Sequence, residues 1–421
     1  MNMLIKGGQR LQGAITVLGA KNAVAPLIPA ALLIKGDVYF SNVPRLTDLE
    51  QLLDILRGMG AEAEWVGEHE LRLNTKTVDP TKLDPKQMKR MRFSILLLGP
   101  LLARFRRIMV PEPGGCTIGN RPISAHLDAL TSLGATIEQD EQGVMFMEAQ
   151  QLKGDYIILP EFSVTATENL IMAATMAEGK TSIRMAAAEP HVQDLCHFLV
   201  ACGAKIKGIG THELEVTGVK ELKAPKEPWK VVPDMLEVGT FAVAAALTKG
   251  ELEIKGIVPE HLDAIRNALS RAGVRYELTA KSLFIRRTPR FEAFKLQTMI
   301  YPGFPTDLQA LFGLLATQAH GTSFIHDPLF EARMGYVSEL VKMGANAVIA
   351  DPHRVYITGP TPLRGTEIRS LDLRAGATMV LAGLIADGET LIHDAEMVYR
   401  GYERLDERLI SLGADITCLH E

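Results

Sequence analysis

Two kinds of helix-period apolar pattern alternate along this chain. One is amphipathic: Leu262, Ile265, Leu269 and Ala272 fall three or four residues apart and line one face. The other is apolar nearly all round, as in 241–247, Phe-Ala-Val-Ala-Ala-Ala-Leu, and predicts a buried helix. Short strand patterns separate the two, for example 213–216 and 282–285. The amphipathic helix closes the same way six times, with an apolar residue or Cys, then Gly, then Ala or Val, then a strand. The glycines are Gly60, Gly134, Gly203, Gly273, Gly344 and Gly413, about 70 residues apart. Each fits the left-handed position that ends a helix. The apolar helix recurs with the same period, over 30–40, 173–183, 244–254, 314–324 and 381–391; the second unit has 101–108, with Phe105-Arg106 where the others have Gly. The predicted unit is βαβαββ, repeated six times.

Six units in 421 residues exceed one ordinary core and predict two domains of three units. The Pro/Lys-rich stretch Lys223-Ala224-Pro225-Lys226-Glu227-Pro228-Trp229 is the best linker candidate. The expected first domain is 21–229. The expected second is 230–421 joined by 1–20, which precede the first helix.

Composition narrows the class. Hydrophobic residues are 47%, charged residues 23% and the net charge is −5, so a generally basic nucleic-acid binder is excluded. Four cysteines in so long a chain are no disulfide framework. No basic-then-apolar leader opens the chain, and no apolar run approaches ~18 residues. A reduced, cytoplasmic protein is expected.

The unusual residues gather in a few places. Pro113-Gly114-Gly115-Cys116-Thr117-Ile118-Gly119-Asn120-Arg121-Pro122 is too rich in Gly and Pro for a helix or strand. Glycine lets backbone N–H groups approach an anion, and a nearby arginine favours a thiolate. Other polar residues precede or open predicted helices: Lys21-Asn22, Arg121, Ser163, Thr306-Asp307, Arg333, Arg374 and Arg400. Helix N-termini attract anions, and arginine there opposes the helix dipole, which points to phosphate or carboxylate binding. Arg333 and Arg374 also have Asp351 and Asp372 as candidate structural partners. Asp307 is either a plain helix start or a general base. Arg92 lies on a basic helix face. Gly179-Lys180-Thr181 lacks the earlier glycine of a P-loop and reads as a helix end and turn. Cys196 and Cys202 share an apolar face with Leu195, Phe198 and Leu199, which favours core over metal.

The motifs Gly19-Ala20-Lys21-Asn22-Ala23, the 113–122 loop, Phe304-Pro305-Thr306-Asp307, Asp372-Leu373-Arg374-Ala375 and Arg400-Gly401-Tyr402-Glu403-Arg404 resemble those of the enolpyruvyl transferases. The resemblance spans essentially the whole chain. It implies an inside-out α/β barrel fold of two domains, each three βαβαββ units around buried helices, closing over substrates in the cleft between them. It implies transfer of the enolpyruvyl group of phosphoenolpyruvate to the 3-hydroxyl of UDP-N-acetylglucosamine, a step of peptidoglycan synthesis, with no cofactor or metal. Partners are then small molecules, with no nucleic acid or membrane, and the protein is a monomer or small homo-oligomer. By matching position, Cys116, Asp307 and Lys21 are catalytic. Lys21, Asn22, Arg121, Arg374 and Arg400 hold phosphoenolpyruvate. Arg92, Arg121, Pro122, Ile123, Ser124, Ala125, Glu161, Phe162, Ser163, Val164, Asp307 and Leu329 line the nucleotide-sugar site, and Arg333 lies in the same cleft. The chain departs from the family pattern at Ser124, where Asp is usual, Glu161, often Lys, Met235, commonly Arg, and Ala188, where an Arg precedes Glu. Two of these sit on the acceptor side, so a relative with another acceptor stays open. A non-catalytic six-repeat ring is the alternative from another class.

Overall fold

The computed structural model describes residues 1–111, 122–141 and 143–419. They form a mixed α/β protein of two compact units. One comprises Met1–Leu18 with the described part of Pro233–Glu421; the other holds the described residues of 19–232.

In the first unit three helices, Met235–Leu247, Gln309–Thr317 and Leu373–Ile385, pack on one another and are buried along nearly their whole length. The all-apolar stretch 241–247 lies entirely inside. Each helix is backed by a sheet, through the strands Glu251–Lys255, Ala319–His326 and Asn2–Lys6 respectively. The amphipathic helices Asp263–Arg271, Gly335–Lys342 and Leu405–Ser411 turn only one face inward. Residues 1–18 belong here because Asn2–Lys6 pairs antiparallel with both Glu389–His393 and Asp415–Leu419, and Gln12–Thr16 pairs parallel with Glu251–Lys255.

The second unit is built alike. Its buried helices are Lys21–Ala30, Leu98–Phe105 and Val164–Thr175; its amphipathic helices are Thr47–Gly58, Ser124–Ser132 and Pro190–Ala201. Trp229–Lys230 returns to pair with Asp37–Ser41. The stretch 223–229 therefore lies inside this unit, and the chain crosses between units at Val232-Pro233 and Leu18-Gly19. Cys196 and Cys202 are in the core. Gly179 has a positive φ and precedes the strand Lys180–Arg184, a turn as expected.

The six spaced glycines all adopt φ between +76° and +106°. In each case the residue after the glycine donates its N–H to a carbonyl five positions back, as Ala61 to Leu56 at 2.9 Å and Ala414 to Leu409 at 3.0 Å. A side chain at the glycine would strain that closure, which explains the regular spacing. Where the second unit replaces Gly by Arg106 after its buried helix, Arg106 itself takes φ +65°.

Candidate active site

In the first unit the site grows from a helix start. Pro305 fixes an extended entry, and Thr306–Leu308 form a turn of 3-10 helix before Gln309–Thr317. This presents Asp307. Two guanidiniums bracket its carboxylate: Arg333 Nη2 lies 2.6 Å from Oδ1 and Arg374 Nε 3.1 Å from Oδ2. Arg333 and Arg374 thus choose Asp307 rather than the candidates Asp351 and Asp372. Asp351 pairs with Arg354 instead. Asp372 is the N-cap of Leu373–Ile385 and accepts from the N–H groups of Arg374 and Ala375 at 2.6 and 2.9 Å.

Arg374 is only 3% exposed, and its Nη1 is buried with no hydrogen-bond partner among the described residues; the same holds for Nε of Arg333. Burial works against the charge of Arg374, but Tyr402, Asp307 and Asp234 outweigh it and hold the guanidinium charged. The Tyr402 ring lies beneath, 5.1 Å from the guanidinium carbon, and its hydroxyl lies 2.8 Å from the Thr240 hydroxyl. Asp327, fully buried, ties the neighbouring turns. It accepts from Thr306 Oγ1 at 2.5 Å, Thr298 Oγ1 at 2.8 Å and the Leu329 N–H at 3.0 Å. Leu329 is exposed on that turn. Arg400 is half-buried and ends the 3-10 helix Ala395–Arg400 rather than opening an α-helix, which starts only at Leu405.

In the second unit Lys21 is the first residue of its helix, not the residue before it, and is 4% exposed. Its Nζ lies 2.8 Å from Oδ2 of the buried Asp48 and 4.8 Å from the centre of the Phe93 ring. Asn22 beside it is half-buried. Arg92, half-buried, opens the 3-10 helix Arg92–Leu97. Asn169 ties this segment to two helix N-termini. It donates to the Ile95 carbonyl at 2.9 Å, accepts from the Gly99 N–H at 2.7 Å and meets His126 Nδ1 at 2.9 Å. The other His126 nitrogen lies 3.1 Å from Thr165 Oγ1. Pro122, Ile123, Ser124 and Ala125, at the start of Ser124–Ser132, are thereby brought beside Glu161, Phe162, Ser163 and Val164, at the start of Val164–Thr175. Ser163 caps its helix, its Oγ accepting from the Ala166 N–H at 3.4 Å. Pro122, Ser124 and Glu161 are exposed, whereas Ile123 and Ala125 are buried. Cys116 and Arg121 lie outside the described residues.

Both clusters place cations at or near helix starts, where orphan N–H groups already favour an anion. Residues 5–409 match the family described as EPSP synthase (3-phosphoshikimate 1-carboxyvinyltransferase). The chain belongs to the EPSP synthase family. Within the family it is 40% identical over 418 residues to a UDP-N-acetylglucosamine 1-carboxyvinyltransferase of Helicobacter pylori strain HPAG1, covering 99% of each chain. It is 41% identical over 421 residues to the protein of that name from Bradyrhizobium diazoefficiens, covering 98% of this chain and 97% of the other. Among solved structures it is similar to the enolpyruvyl transferase NikO from Streptomyces tendae, with TM-score 0.90, 26% identity and coverage of 99% and 98%. EPSP synthase from Acinetobacter baumannii shares the fold, with TM-score 0.76 and 21% identity over the full length of both chains. Among the described residues no helix is long and apolar enough to cross a membrane.

Sequence patterns alone missed Asp48, Phe93, His126, Asn169, Asp234, Asp327 and Tyr402. Each supports a candidate from a distant part of the chain. Only their burial, which spacing does not reveal, separates them from ordinary helix-start or core residues.

Proposed function

We propose that this chain is a UDP-N-acetylglucosamine 1-carboxyvinyltransferase. It transfers the enolpyruvyl group of phosphoenolpyruvate to the 3-hydroxyl of the nucleotide sugar and releases phosphate, the first committed step of peptidoglycan synthesis. The observation that carries this function is the Asp307 carboxylate bracketed by Arg333 and Arg374, with buried guanidinium N–H groups unpartnered among the described residues. The orphan N–H groups suit the oxygens of an anionic substrate. Near-full-length relatives of about 40% identity bearing that name support the same function.

The acceptor hydroxyl gives its proton to Asp307 while its oxygen bonds to C2 of phosphoenolpyruvate. The methylene carbon takes a proton from Cys116, and a tetrahedral phospho-ketal results. Loss of a methyl proton then expels phosphate with the electrons of the C–O bond and leaves the enolpyruvyl ether. Lys21, Asn22, Arg121, Arg374 and Arg400 hold phosphoenolpyruvate. Arg92, Arg121, 122–125, 161–164, Asp307 and Leu329 hold the nucleotide sugar. Each unit is an inside-out barrel of three βαβαββ repeats, a description supported by the buried helix triplets and the six equivalent glycine closures. The protein works in the cytoplasm as a monomer or small oligomer, without cofactor or metal.

Phosphate release from phosphoenolpyruvate tests the proposal. Release is expected only when UDP-N-acetylglucosamine is present, one phosphate for each acceptor consumed. A folded protein that releases none sinks it. Ser124 and Glu161 are both exposed at the acceptor-side helix starts. Release with a different nucleotide sugar, and none with this one, would move the acceptor and leave the chemistry.

A further inference from the structure

His126 and Asn169 form a buried polar pair that the chemistry above does not use. His126 is 1% exposed and Asn169 fully buried. The backbone fixes the Asn169 amide. Its Oδ1 accepts from the Gly99 N–H at 2.7 Å, and its Nδ2 donates to the Ile95 carbonyl at 2.9 Å. Turning the amide over would set N–H against N–H and oxygen against oxygen. The second Nδ2 hydrogen is left for His126 Nδ1, 2.9 Å away, which must accept it with a bare lone pair. The proton of the neutral imidazole then sits on Nε2, which donates to Thr165 Oγ1 at 3.1 Å. A proton on Nδ1, in the other tautomer or in the imidazolium, would oppose the Asn169 N–H.

The pair joins three stretches of chain far apart in sequence. Ile95 lies in the 3-10 helix Arg92–Leu97, His126 in the first turn of Ser124–Ser132 and Thr165 in the first turn of Val164–Thr175. The same stretches carry Arg92, 122–125 and 161–164, the residues given to the nucleotide sugar under the proposed function, on which this inference rests. Apolar side chains would fill the space without desolvating polar groups; a satisfied buried network also fixes the spacing of what it joins. We propose that His126, held as the neutral Nε2–H tautomer, is a positioning residue for the nucleotide sugar: with Asn169 it sets the spacing of the three segments that bind the acceptor. It acts through those segments rather than on the reacting atoms. Its effect therefore falls on acceptor affinity, because contacts made equally in the ground and transition states alter KM and leave kcat unchanged.

The test pairs Thr165→Val with Thr165→Ser in the full chain. Valine keeps the shape and removes the oxygen that accepts from Nε2; serine restores it. Thr165→Val should raise KM for UDP-N-acetylglucosamine roughly tenfold, since a buried donor loses its acceptor, with kcat and KM for phosphoenolpyruvate near wild type. Calorimetric Kd for UDP-N-acetylglucosamine should rise by the same factor, and Thr165→Ser should return both constants to wild type. NMR of nitrogen-labelled histidine reads the wild-type tautomer without turnover: Nδ1 of His126 should be unprotonated and Nε2 protonated. A proton on Nδ1 overturns the assignment. So does a Thr165→Val protein whose KM and Kd for the acceptor are unchanged, whose loss is in kcat, or whose only change is a lower thermal midpoint. A wild-type protein that neither binds nor consumes UDP-N-acetylglucosamine would refute the proposed acceptor itself. A wild type that does both, beside an unaffected Thr165→Val, refutes the positioning role alone.

Discussion

Arg374 donates through Nε to Oδ2 of Asp307 at 3.1 Å while its Nη1 stays buried without a partner among the described residues. A buried donor left unmade is costly, so the site is built for an acceptor that arrives with substrate. Arg374→Lys keeps the charge but loses the planar fork. It should lower kcat/KM for phosphoenolpyruvate at least about tenfold with modest loss of stability. Arg374→Ala should cost about 3–5 kcal/mol of stability, because the buried guanidinium's pair with Asp307 is broken. Thermal melts beside steady-state kinetics check both; equal stability loss in the two variants would contradict the geometry.

Lys21 and Asp48 form a pair buried on both sides, 2.8 Å apart. Removing one partner strands a buried charge, whereas removing both does not. Lys21→Met should destabilise by about 3–5 kcal/mol. Lys21→Met with Asp48→Leu should recover much of that, yet stay inactive if Lys21 binds phosphoenolpyruvate. Chemical denaturation of the singles and the double closes the cycle. Additive losses would show that the pair contributes nothing beyond its members.

Asp194 gives a pH prediction. Its carboxylate accepts from Trp229 Nε1 and the Val232 N–H, both at 3.1 Å, but burial dominates and raises it to about 6. Its folded value lies above the unfolded value near 4, so the fold binds its proton more tightly. That contribution is complete below pH about 4 and is lost as pH rises through about 6. In Asp194→Asn the stability difference between these limits should change by roughly 2–3 kcal/mol relative to wild type. Urea titrations at several pH values measure it, and parallel pH profiles would refute it.

Much of the fold was legible because its repeats rest on a local requirement. Only a left-handed residue completes the closure at Gly60 and its five counterparts, and glycine tolerates that conformation best. The buried helices were legible because 241–247 has no polar face. The site was half legible. Arginine at a helix start is locally unfavourable and so stands out, as at Arg374. Asp372 is a locally favourable cap, and nothing local shows that it only caps while Asp307 takes the guanidiniums. The pairing of Asp307 with Arg374 spans 67 positions and was hidden by the nearer Asp372. Arg400 was misplaced because the helical pattern after it is real, but Arg404 at φ +43° delays the helix to Leu405.

Thiol labelling separates Cys116 from the rest. Burial pushes Cys196 and Cys202 up to about 12 and Cys418 up to about 11. These three stay protonated and unreactive near neutral pH, because the thiolate is the nucleophile. An epoxide phosphonate shaped like phosphoenolpyruvate should alkylate Cys116 alone, faster with UDP-N-acetylglucosamine present. Peptide mass mapping reads the site; label on another cysteine would remove the thiol from the proposed proton transfer.

The central claim is addition to C2 followed by expulsion of phosphate through the C–O bond. It is tested most directly by placing heavy oxygen at the bridging position of phosphoenolpyruvate. Mass analysis of both products after turnover with UDP-N-acetylglucosamine should find all the label in phosphate and none in the enolpyruvyl ether. Label retained in the three-carbon product would mean that the P–O bond breaks, and would contradict enolpyruvyl transfer by this chain.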